Sequence, residues 1–447
     1  MRLVIVTACV AVLASAAPAA AQTAGESPVP ARLTLAEALA RATAASHTLG
    51  ALRARLDASA AVVAEQKTAD VPVVSLQGGY QRTNHVEEFG FAQPNGSFKV
   101  LYPDVPDNWR GRLDMVWPIY TGGRSGALER EANAEHQASG KDLDNARADL
   151  TLETTRSFWA LVTAIESVRV VRDSVTRIEA ELHDVKARFD AGFLPPSDVL
   201  TVQTRVSQEQ SLLIDAENQR DSARATLARL IGARLDADFE PDATLDQPAL
   251  PAAGMTSPAQ GAPDITSARA DHLALVLRSG AADARIEAAR AGFRPQIGVG
   301  AGYDYARPNP RIFPREDVWK ASWDVGVNVS WTLWNGGRTA AEVAGARSQS
   351  NAIREQLAEL DTQIALEVRQ RQLDLTSARA AVKPTGDAVQ SAVEAHRVVA
   401  ERYKAGVATS SDLLDAQQDQ LQAELGRTRA LANVKLAEAR LARALGQ

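Results

Sequence analysis

From Trp323 to Leu333 the chain alternates without a miss. Trp323, Val325, Val327, Val329, Trp331 and Leu333 are apolar, and Asp324, Gly326, Asn328, Ser330 and Thr332 between them are small or polar. Period two puts the two sets on opposite faces of an extended strand. Ile297, Val299, Ala301, Tyr303 and Tyr305 alternate likewise with Gln296, Gly298, Gly300, Gly302 and Asp304, and 74–80 and 109–119 do so with more noise. The pattern predicts four strands, near residues 71–82, 109–120, 295–305 and 322–334.

Each pair of strands precedes a run with few helix breakers. Residues 125–191 hold only Gly126 and Gly140 and no proline. At 1.5 Å per residue such a helix is about 100 Å long. Within it Leu161, Val168, Val175, Leu182 and Phe189 stand seven apart, with a second row at Ala164, Val171, Ile178 and Val185. Two such rows predict a coiled-coil seam. The second-half positions Leu375, Val382, Val389 and Tyr403 are interrupted by His396, and Pro384 with Gly386 predicts a bend.

The chain also repeats itself. "WPIYTGGR" at 117–124 returns 214 positions later as "WTLWNGGR", and "RFDAGFLPPSDVL" at 188–200 returns at the same offset as "RYKAGVATSSDLL". "VPVVSLQGGY" at 71–80 matches "RPQIGVGAGY" at an offset of 223, so nine extra residues fall in the loop between Tyr80 and Trp109. Two copies at so long a period predict a duplicated half rather than a solenoid. We read 22–239 and 265–447 as the two repeats, joined by a Pro- and Ala-rich linker at 240–264. Long helices at 125–191 and 338–405 should fold back into return helices at 197–233 and 410–445. Gly122, Gly123, Gly336 and Gly337 would let each strand swing into its helix.

Composition narrows the function. A net charge of -6 argues against nucleic acid as a partner. The six histidines are scattered, no metal-ligand spacing or catalytic motif occurs, and neither a cofactor nor enzyme activity is expected. Residues 1–21 read as a secretory signal cleaved after Ala21; Cys9 lies too near the start for a lipoprotein signal, so acylation is not expected. No later run of eighteen apolar residues predicts a membrane helix. A soluble β-sandwich would also alternate, but it would not follow each strand pair with so long a helix. Six of the seven tryptophans lie in or beside the strands. Together these features favour membrane-spanning strands of an α+β membrane protein. Four strands cannot close a barrel, and open edges are forbidden in lipid, so the chain must oligomerise.

These residues, with "LTLAEALARA" at 33–42 and "GFRPQIGVGAGY" at 292–303, resemble the TolC-like outer-membrane efflux proteins. One departure is Ser46-His47, where the family often has Asn-Pro. The resemblance implies a homotrimer with a 12-stranded outer-membrane β-barrel, four strands per chain, continued into an α-helical coiled-coil periplasmic tunnel. It implies the exit duct of a tripartite efflux pump or type I secretion system, set in outer-membrane lipid of a Gram-negative cell. Its partners would be a periplasmic adaptor and an inner-membrane transporter. Asp412 and Asp415 match the family's periplasmic gate aspartates. A plainer reading places Asp412 in the first turn of a helix capped by Ser410 or Ser411; Asp198 stands at the matching place, whereas the counterpart of Asp415 is Thr201. Tyr403 and Asp198 match an inter-helix latch whose arginine partner falls on Ala408. Gly192, Phe193, Leu194, Gly406 and Val407 match adaptor-docking turns. A non-conducting periplasmic spacer or surface adhesin is the alternative, and the cargo stays open among drugs, metal ions and secreted protein.

Overall fold

The computed structural model describes residues 30–246 and 268–446. The signal segment with Cys9, and residues 247–264 of the expected linker, lie outside the described residues.

Strand β1 (Arg32–Leu33) leads into α1 (Leu35–Ala45) and α2 (His47–Lys67), followed by β2 (Val73–Arg82), β3 (Phe89–Ala92), β4 (Phe98–Tyr102) and β5 (Asp107–Tyr120). Two helices come next, α3 (Arg124–Asp190) and α4 (Pro196–Leu230), and then the two-residue β6 (Glu240–Pro241). The second half runs α5 (Ala270–Arg290), β7 (Gln296–Arg307), β8 (Lys320–Ser330), α6 (Arg338–Lys404) and α7 (Ser410–Ala444). The long helices α3 and α6 are both 67 residues, and α4 and α7 are both 35.

The main sheet has the order β2-β5-β7-β8, antiparallel throughout. Its register sorts the side chains as the alternation predicts. Leu76 faces Leu113, Tyr303 faces Trp323, and Val299 faces Val327, giving one apolar face that is open to the surroundings. The other face is polar, and its centre is Asp304, 2% exposed. Arg110 reaches Asp304 at 2.6 Å, and Arg112 bridges Asp304, Asp114 and Asp324. The outer edges of β2 and β8 have no strand partner among the described residues.

Three features differ from the pattern. β8 ends at Ser330, four residues before the alternation suggests, because its last partner is Gln296 and Pro295 beyond it has no N–H for the ladder. The long loop after β2 holds a second hairpin, β3–β4, turning at Gly96, where φ is +83°. The expected linker opens with paired residues: β6 lies parallel to β1, and Leu245 packs with Leu33 and Phe239 on Phe158 and Leu161 of α3.

Helix α3 buries Leu161, Val168, Val171, Val175, Ile178 and Val185, so most of both seam rows are used. Phe189 is not; it is 38% exposed in the last turn of α3, past the apolar cluster that ends the seam. Pro384 sits inside α6, which continues to Lys404. At the head of α2 the Ser46 hydroxyl accepts from the Leu49 N–H at 3.2 Å, a helix-capping bond. No helix among the described residues is long and apolar enough to cross a membrane.

Candidate functional site

The expected site residues gather at the two ends of the long helices. At the sheet end, Gly122, Gly123, Gly336 and Gly337 have φ of +70°, +87°, +68° and +86°, the left-handed region that glycine adopts without strain. The first pair is also crowded, because a Cβ on Gly122 would stand 2.9 Å from the Ala291 carbonyl oxygen. The two joints share a second device that the sequence reading missed. Trp117 donates its indole N–H to the Asp70 carbonyl at 2.9 Å, and Trp331 donates to the Phe293 carbonyl at 3.0 Å. Each tryptophan stands near the joint end of its strand and pins the chain three residues ahead of the neighbouring strand. The two tryptophans stand 214 apart at matching places of the repeat, which was the available signal, but an indole bond to a backbone oxygen leaves no mark on side-chain identity.

At the far end, α3 and α6 stop at Gly192 and Gly406, with φ of +81° and +76°. The N–H of Phe193 then bonds back to Arg188 and that of Val407 to Arg402, which closes both helix ends. No atom lies within 4 Å of where a Cβ would sit on either glycine, so backbone angle rather than close packing selects them. Phe193 and Val407 project into solvent at 81% and 67% exposure. Leu194 turns inward onto a cluster of Ile178, Val185, Val202, Tyr403, Leu413 and Leu414, which joins all four helices.

Tyr403 is buried at 5% exposure, and burial pushes its phenol pKa up. Its hydroxyl has no hydrogen-bond partner among the described residues, so no bond joins it to Asp198. Arg188 lies over its ring instead, 5.0 Å from the centre. Ala408, where the latch arginine would fall, packs against the same apolar cluster.

Asp412 starts α7, but its partner is Thr409 rather than Ser410 or Ser411. The carboxylate accepts from the Thr409 N–H at 2.8 Å and its hydroxyl at 2.7 Å, while the Asp412 N–H donates to the Thr409 hydroxyl at 3.2 Å. The backbone bond, then the hydroxyl bond, holds the Asp412 pKa below the usual aspartate value. Threonine won because the residue before the first helical turn carries the free cap geometry. Asp198 sits in the first turn of α4 without this arrangement; among the described residues its carboxylate accepts from Ser197, at 3.3 Å. Asp415 is exposed on the Asp412 side of α7, and Asp419 continues that face one turn on, while Leu413, Leu414, Ala416 and Gln417 point inward.

A buried polar bridge above the tip was also missed. The Ser174 hydroxyl donates to Glu209 at 2.7 Å, and the Gln417 amide donates to the Ser174 carbonyl at 3.3 Å, tying α4, α3 and α7 together. All three residues are nearly inaccessible.

A two-faced sheet joined by paired glycines to long hairpins of helix is a specific architecture. The family model described as outer membrane efflux protein matches residues 38–233 and 261–447. The chain belongs to that family. As an outer membrane efflux protein it is 25% identical over 417 residues to the pyoverdine export outer membrane protein OpmQ of Pseudomonas aeruginosa, across 88% of this chain and 84% of that one. It is 21% identical over 369 residues to the outer membrane protein TolC of Vibrio cholerae, across 81% and 79%. Its fold is shared with the outer membrane protein VceC of Vibrio cholerae, at a TM-score of 0.77 and 19% identity over 92% and 96% of the two chains. This TolC-like efflux protein therefore resides in the outer membrane of a Gram-negative cell, with its helices in the periplasm. Its relatives are efflux and secretion channels, not enzymes.

Proposed function

We propose that the chain is the exit duct of a tripartite efflux pump or type I secretion system. The observation that carries this reading is the four-stranded sheet, apolar on one face, charged on the other and unpaired at both edges among the described residues. The four strands are 10, 14, 12 and 11 residues long, enough for the about 9–11 residues that a tilted strand needs to cross an outer membrane. Aromatic pairs mark one end, Tyr80 on Trp109 at 4.4 Å and Tyr305 on Trp319 at 5.0 Å, and Trp117 with Trp331 marks the other. Three copies pairing β8 of one chain with β2 of the next give a closed 12-stranded wall without an edge. The two repeats then continue as twelve helical columns around one periplasmic tunnel.

At the tip, Asp412 and Asp415 from three chains form a carboxylate ring that attracts cations and resists anions. Phe193 and Val407, lifted by Gly192 and Gly406 with Leu194 beneath them, offer apolar contacts for a periplasmic adaptor that links the duct to an inner-membrane transporter. Tyr403 and Asp198 flank the closed tip, where Arg188 rather than a latch arginine braces the tyrosine. A spacer or adhesin has no use for a lipid-facing sheet. Detergent-extracted protein should cross-link to trimers and conduct in planar bilayers; a stable monomer soluble without detergent defeats the proposal.

A further inference from the structure

The α7 face that carries Asp415 returns at Asn433, because eighteen residues make about five whole helical turns. Arg429 lies on that face too. At this level α3 runs between α4 and α7, and the three enclose a groove of about 460 Å³. The 240–246 strap covers the other side of α3, over Val162, Ile165 and Arg169, so the groove faces away from it.

The groove's chemistry is one-sided in charge. Its lining holds Arg156 and Arg429 and no carboxylate. Neither guanidinium has an ion pair or hydrogen bond among the described residues. Several other arginines on these helices are matched within the chain: Arg169 with Glu166, Arg172 with Glu217, Arg177 with Glu424, Arg427 with Asp246. The same lining includes Trp159 and Leu212, with Asn433 and Gln219 as polar neighbours. Lys435 stands 5.2 Å above the Trp159 ring. A volume of this size suits a small ligand.

We propose that this groove is a cargo subsite for amphipathic organic anions. The apolar body of the cargo lies on Trp159 and Leu212, and its acid group sits between Arg156 and Arg429. The assignment rests on the duct reading, since only there does this face of α7 line the path. It also gives the two charge belts an order. An anion that has passed an open tip is drawn to the arginines, and the aspartates below repel its return.

The test uses trimers in planar bilayers with 2-naphthalenesulfonate as the probe and neutral 2-naphthol as its control. The sulfonate should block wild-type current, and 2-naphthol should block poorly. The paired change Arg156→Gln and Arg429→Gln should still form channels yet need about tenfold more sulfonate for the same fractional block, the loss expected for a charge-assisted contact. Arg156→Lys with Arg429→Lys should retain most of the block. Equal block of wild type and the glutamine variant, or equal block by 2-naphthol, overturns the proposal. If no channels form, the duct reading fails by itself, and the groove is still read in detergent by the part of the tryptophan quenching that Trp159→Phe removes. Sulfonate quenching that survives the glutamine changes overturns the subsite there as well.

Discussion

The Arg188 guanidinium lies 5.0 Å from the centre of the Tyr403 ring, while the Tyr403 hydroxyl, buried beside it, has no hydrogen-bond partner among the described residues. The ring face, not the hydroxyl, is what the chain uses. Tyr403→Phe should therefore leave the tip closed and cost under about 1 kcal/mol, because it removes an unpaired polar group. Arg188→Gln should cost about 0.5–2 kcal/mol of cation–π contact and raise resting conductance. Single-channel recording on both variants decides between them. A Tyr403→Phe channel that stands open would show that a neighbouring chain supplies the hydroxyl's partner.

The gate ring makes a graded prediction. Asp412→Asn with Asp415→Asn should abolish cation selectivity and block by divalent cations, and Asp415→Asn alone should do much of it, because the Asp412 carboxylate is held by Thr409. Asp198→Asn should change selectivity little. The pH dependence follows from the same bonds. The lowered pKa of Asp412 means that its capping contribution is complete above the ordinary aspartate value of 3.8 and fades only as pH falls through the lower folded value. Thr409→Ala should bring the Asp412 titration back up towards 3.8, so selectivity fails at higher pH than in wild type. Reversal potentials measured across an acid series would reveal an unmoved profile if Thr409 plays no part.

The two strand-to-helix joints are alike in angle and unlike in crowding. Gly336→Ala faces only the left-handed backbone penalty, about 1–2 kcal/mol. Gly122→Ala faces that penalty and a clash with the Ala291 carbonyl oxygen and the Arg294 Cβ. The Gly122 variant should lose heat-resistant trimers at a lower temperature than the Gly336 variant. Equal melting on gels would remove the Ala291 contact from the account.

The far turns should separate assembly from export. Gly192→Val and Gly406→Val force a branched side chain into a left-handed backbone, which re-aims Phe193 and Val407. Trimers should form at near wild-type yield, because the joints and sheet lie at the opposite end of the helices, while export of a reporter cargo drops. Normal export in both variants would move adaptor docking elsewhere.

Much of the fold was legible because two periodicities carry it. Alternation from Trp323 to Leu333 exposed the strand, and heptads from Leu161 to Val185 exposed the seam, since each pattern is a direct image of which side is buried. What escaped was decided by partners rather than patterns. β8 stops where Pro295 ends the ladder across from it, Phe189 is left uncovered at the helix end, and Thr409 takes the cap from two serines that were equally eligible by type. The β3–β4 hairpin lay hidden in a stretch whose prolines and glycines read as plain loop. At the tip, Asp412 and Asp415 could be named from spacing alone. The Arg188–Tyr403 contact and the Ser174–Glu209–Gln417 bridge could not, because their members are separated along the chain and meet only when the hairpins of helix lie side by side.

The bare edges of β2 and β8 carry a consequence for inheritance. A wall that each copy completes for the next has no spare part, so one defective chain disables the whole ring. In a cell making faulty and sound copies equally, random assembly of threes leaves about one ring in eight wholly sound. An edge-strand allele that folds but pairs badly should therefore behave as a dominant trait, whereas one that never folds should be recessive and nearly silent.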